Sequence, residues 1–184
     1  MDSLHFYIVL FVHLVSLIIG FGAVLVIDTF GLLMVLKKRS LETVKKVANV
    51  TQPLIWAGWL GLIVSGTNLI LLKGYVDNLT KIKLFFVLTI GINGIFLHLI
   101  KKYLASIHHA EDISQQFRFR ILITSAISQT GWWGALFIGF IHRNIAHNIF
   151  WPKNPLPTIV FVFLLFFLPW ACGELYFKLF KKQV

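Results

Sequence analysis

Residues 6–36 read FYIVLFVHLVSLIIGFGAVLVIDTFGLLMVL, an apolar run interrupted only by His13 and Asp28. A run of this length exceeds the roughly 20 apolar residues needed to cross a hydrocarbon core. It is also too long for the h-region of a cleavable signal. Its basic cluster, Lys37-Lys38-Arg39, follows the run instead of preceding it. The stretch is therefore read as a first transmembrane helix.

Four more runs of the same character follow, at about 51–72, 84–100, 121–141 and 156–177. Long unbroken apolar runs exclude the alternating pattern of a membrane β-barrel. The composition agrees: of 184 residues, 58% are hydrophobic and 13% are charged. That is about half the charged share of a soluble domain. The expected fold is an all-α integral membrane bundle of five helices, spanning 1–184 as a single domain. The lipid bilayer is its first partner.

Lys and Arg set the orientation. Twelve of the seventeen lie on the side that carries 37–46, 101–120 and the C-terminal end. The positive-inside rule makes that side cytoplasmic, with the N-terminus outside and the C-terminus inside a plasma membrane. The net charge of +10 has this topological origin and does not call for nucleic acid. Its natural counter-charge is acidic lipid. The lone Cys172 lies in the fifth run, where it is read as a small apolar residue.

Polar groups inside spans are expensive and mark candidate sites. In depth, His13, Asn68 and His142 fall in the outer half, with His147 just beyond. Asp28, His98 and Glu174, with Gln52, fall in the inner half. His13 and His98 would stand roughly 15–20 Å apart along the normal, which excludes them as a pair on one iron. His13 with His142 is the better bis-histidine pair for b-type haem or a porphyrin. The stripe of Ser16 and Gly20 would offer a flat wall. A plainer alternative has His13 bonded across helices to Asn68 or a backbone carbonyl.

Asp28, His98 and Glu174 have the residue types of a metal or proton site. Alternatively, the carboxylates pair with Lys101 or Lys37. His108, His109, Glu111 and Asp112 form a polar knot on the inner connection, where 103–116 could extend the third span as a surface helix. Small residues recur at four-residue spacing, as Ala57, Gly61 and Ser65, and as Gly131, Ala135 and Gly139. Such stripes let helices approach closely. Pro53 and Pro169 each remove one helical hydrogen bond. Phosphate-cradling loops, His-Glu-x-x-His motifs and nucleophile elbows are missing.

Three segments carry a resemblance: HLVSLIIGFG at 13–22 followed by Asp28, KLFFVLTIGING at 83–94, and SQTGWWG at 128–134. They resemble spans of a group of uncharacterised bacterial membrane proteins. More distantly, His13 and Lys83 are similar to the span-one His and span-three Lys of the copper-resistance D family and the small helical protoporphyrinogen oxidases. The resemblance implies a bundle handling copper, haem or a porphyrin, with His13 as candidate ligand. The chain departs from the copper family in having only two methionines.

The leading expectation is a membrane protein that binds b-type haem or a porphyrin for electron transfer or redox chemistry. The alternatives are a small ion-coupled transporter, expected as a homodimer, and a non-catalytic subunit of a larger membrane complex.

Overall fold

The computed structural model describes residues 3–144 and 153–180. Lipid leaves backbone groups nothing to bond to except one another, so apolar runs must close their hydrogen bonds as helices. The five helices are α1 (Ser3–Val35), α2 (Leu41–Lys73), α3 (Asn78–Ala105), α4 (Gln115–Asn144) and α5 (Leu156–Phe180). All five are long and apolar enough to cross a membrane.

Four helices begin earlier than their apolar runs, and for α2 local caps and not hydrophobicity set the ends. Ser40 caps α2 by accepting a hydrogen bond from the Thr43 amide at 3.3 Å. This starts the helix ten residues before the second apolar run. Gly74 ends it in the left-handed conformation (φ 79°), its amide donating to Ile70 O. Between α1 and α2, Lys37 adopts φ 57°. The Lys38 amide then donates back to Leu33 O at 2.8 Å. This Schellman-type stop turns the chain within five residues. Pro53 and Pro169 are carried inside continuous helices.

The expected surface-helix extension of α3 does not form. The helix stops at Ala105, and only a 3-10 turn at Ala110–Asp112 precedes α4.

The chain falls into two compact units, Met1–Asp77 with Leu104–His108, and Asn78–Tyr103 with His109–Val184. Unit one is the antiparallel hairpin of α1 and α2. The buried side of α1 is His13, Ser16, Gly20, Phe21, Ala23 and Val24, spaced as one helical stripe. Facing it are Gly58, Leu62 and Ser65 of α2. A Cβ on Gly58 would come within 2.5 Å of Gly20 Cα and N and 2.7 Å of Ser16 O. The two backbones therefore touch. A Cβ on Gly61 would collide with the Ser16 hydroxyl. Near the α1–α2 turn, Lys45 donates from α2 to the carbonyls of Ala105 and Ile107. This tethers the 104–108 segment to the hairpin.

In unit two, α3, α4 and α5 pack as successive antiparallel neighbours. Residues Thr124, Ser128, Gly131, Ala135 and Ile138 are buried along α4, alternating steps of four and three. That is the spacing of knobs-into-holes packing. Ile90 and Phe86 of α3 fill the space left by Gly131 and Gly134. Asn93, itself buried, donates to Thr124 O at 2.8 Å. On the other side of α4, Gly173 of α5 receives the ring of Phe119. Arg120 pairs with Glu174.

Candidate functional site

His13 is 8% exposed, in the third turn of α1 facing α2. Its Nδ1 lies 2.9 Å from Ser65 Oγ. The same hydroxyl lies 2.5 Å from the carbonyl oxygen of Gly61, one turn back on α2. A carbonyl can only accept, so the single hydroxyl hydrogen lies on that contact. Ser65 therefore accepts from His13, and Nδ1 carries the proton. In the neutral ring this places the lone pair on Nε2, the tautomer of a ligating imidazole whose second nitrogen is fixed by a neighbour.

Gly66 completes the seat. A Cβ there would stand 3.4 Å from His13 Cε1, so a side chain larger than methyl would press on the ring. The seam is held at this height by Ser16 and Gly61, and by the Gly20–Gly58 contact two turns on.

The other residues singled out in the sequence fall as follows. Gly20 does not present an open wall to a flat ligand: its backbone is covered by Gly58, and the small-residue stripe is filled by helix against helix. Asn68 does not bond to His13. Its amide donates to Val64 O of its own helix at 2.9 Å, and Ser65, one turn nearer, takes the histidine. His142 falls in the last turn of α4, and its side chain, like all of His147, lies outside the described residues. Lys83 is partly buried on α3, its Nζ 3.6 Å from where a Cβ on Gly139 would stand.

Of the inner trio, Asp28 belongs to unit one, and His98 and Glu174 to unit two. His98 is exposed. The Glu174 carboxylate receives Arg120 Nε at 2.5 Å, Arg120 Nη2 at 2.7 Å and Gln116 Nε2 at 2.9 Å. Its cationic partner is thus Arg120, not Lys101 or Lys37. Among the described residues, no three His, Cys, Asp or Glu side chains gather as a metal site.

The polar knot is a loop. The His109 amide donates to Asp112 Oδ2 at 3.3 Å, and His108 and Asp112 are exposed without sharing a helix face. Arg118 holds the loop through the carbonyls of Ile113, Ala110 and Glu111.

Arg118 and Arg120 are contributors that residue patterns did not single out, and Ser65 was marked only as a packing residue. The two arginines look in sequence like topology charges. The signal for Ser65 was present, since it shares the four-residue stripe with Gly61.

Comparison with protein-family models, with curated proteins and with solved structures finds no match.

Proposed function

We propose that this chain is a multi-pass membrane protein that binds b-type haem or a related porphyrin through His13 and serves electron transfer or redox chemistry. The observation that carries the reading is the Gly61–Ser65–His13 relay. It orients a buried imidazole with Nδ1 as donor and the lone pair on Nε2. Histidine is the commonest metal ligand, and a second-nitrogen hydrogen bond is its usual support. A neutral imidazole is a ligand type that haem iron takes.

When bound, the haem would supply one-electron redox chemistry. The chain's own residues do the rest. Ser65 fixes the tautomer and the ring plane, Gly66 leaves room for the ring, and the packed α1–α2 seam keeps the imidazole out of water. The basic residues support an arrangement with the N-terminus outside and the C-terminus in the cytoplasm, in the plasma membrane.

The test is an absorption spectrum of detergent-purified protein expressed with ample haem, oxidised and then reduced with dithionite. A Soret band with α and β bands sharpening on reduction, lost in His13→Ala, supports the assignment. A featureless visible spectrum, or full pigment in His13→Ala, overturns it.

A further inference from the structure

Beside the α4–α5 contact lies an open groove of 760 Å³ lined by Gln116 of α4 and by Trp170, Glu174 and Lys178 of α5, among others. On α5 these three sit at four-residue steps, on one helical face. They run from an aromatic ring through a paired carboxylate to a lysine in the last turn of the helix. Trp170 to Lys178 covers about 12 Å of axis. Lys178, at the helix end, can reach the membrane surface, while Trp170 lies deeper, at the level of the acyl chains.

Gln116 and Lys178 line the groove as donors, and Arg120 pairs with the lining carboxylate of Glu174. Arg120 gives two N–H groups to Glu174 and Gln116 gives one, yet a guanidinium and a primary amide carry more than these. Lys178 is exposed and adds an ammonium. The Arg120 guanidinium is further steadied over the Phe117 ring, 5.4 Å from its centroid. Formal charges of Arg120, Lys178 and Glu174 leave one net positive charge, matched by the single negative charge of a phosphodiester. The rest of the lining includes Leu175 and Phe177, suited to an acyl chain and not to water.

From this complementarity we infer that the α4–α5 groove is a binding site for an anionic phospholipid. Lys178 and Gln116 hold the headgroup phosphate, Arg120 offsets the charge of the lining Glu174, and Leu175 and Trp170 lie along the acyl chain. Glu174 is a positioning residue: it lines the groove and holds the Arg120 guanidinium beside it. The site is independent of any haem at His13.

The test is thermal unfolding of the full chain in neutral detergent with added phosphatidylglycerol, phosphatidylcholine or inorganic phosphate. Phosphatidylglycerol should raise Tm in a saturable way, with phosphatidylcholine and inorganic phosphate leaving it unchanged. Lys178→Gln keeps the Arg120–Glu174 pair and should weaken the apparent phosphatidylglycerol affinity by about fivefold, the worth of one basic side chain near an anionic surface. Lys37→Gln, an exposed lysine in unit one, should leave it unchanged. An equal response to phosphatidylcholine, an equal response to inorganic phosphate, or equal weakening by Lys37→Gln would overturn the site. So would a wild-type response in Lys178→Gln.

Discussion

The α1–α2 seam and the α4–α5 contact solve one problem in opposite ways. Lipid tails are as apolar as leucine, so helices in a bilayer gain little from hiding apolar surface and must associate by close packing or polar ties. The first seam uses packing: Gly20 and Gly58 bring two backbones into contact, and Ser16 fills the notch at Gly61. The second relies on charge. No described residue of α5 is buried, and the helix is held by Arg120 and Gln116 on Glu174, with Phe119 set into Gly173. A seam made of backbone cannot yield to a larger side chain, whereas a contact centred on one ion pair can be loosened by a single neutralisation. The tight seam is where a fixed imidazole sits. The looser contact is where a groove remains open.

The sharpest way to break this contrast is Gly58→Leu. Its side chain would have to enter space occupied by Gly20 backbone, and the expected loss is about 3 kcal/mol or more, read as unfolding in mixed micelles. A loss below about 1 kcal/mol would mean the seam is not a close backbone contact. Arg120→Ala comes next. It strands a half-buried carboxylate and should cost about 1.5–3 kcal/mol. Faster hydrogen exchange should be confined to α5, and α1–α2 protection should stay unchanged. Uniform loss of protection would show that α5 is not held as a separate element.

Asn93→Leu removes the interhelical bond to Thr124 O and should cost about 0.6–1.7 kcal/mol, the range for such bonds in membranes. Ser65→Ala should cost about 1 kcal/mol and, in haem-loaded protein, lower haem affinity about 10- to 100-fold without abolishing pigment. Unchanged affinity would remove Ser65 from the ligand's support. The smallest effect belongs to Gly22→Ala, where a Cβ meets nothing within 4 Å. Stability should rise by up to about 1 kcal/mol from helix propensity alone. A fall would reveal a partner for that face.

Much of the fold was legible because its cause is local. In lipid each apolar run must satisfy its own backbone, so its length and composition suffice to make it a helix. The runs beginning at Phe6, Thr51, Leu84, Ile121 and Leu156 each became one. The ends were less legible. Ser40 and Gly74 bound α2 through single capping bonds, and these act outside the apolar pattern. His13 was marked by its position, as the one histidine in the first apolar run.

What the sequence determined by itself is the set of five helices and the presence of a buried histidine among small residues, since both follow from transfer free energies summed along the chain. What only the tertiary structure decided is who meets whom. Ser65 and not Asn68 takes His13, Gly20 is covered by Gly58, and Glu174 belongs to Arg120. Partner choice depends on the register and rotation of one helix against another. Those are set by a five-residue turn and by where glycine lets backbones touch, quantities with no signature in the hydropathy of either helix alone.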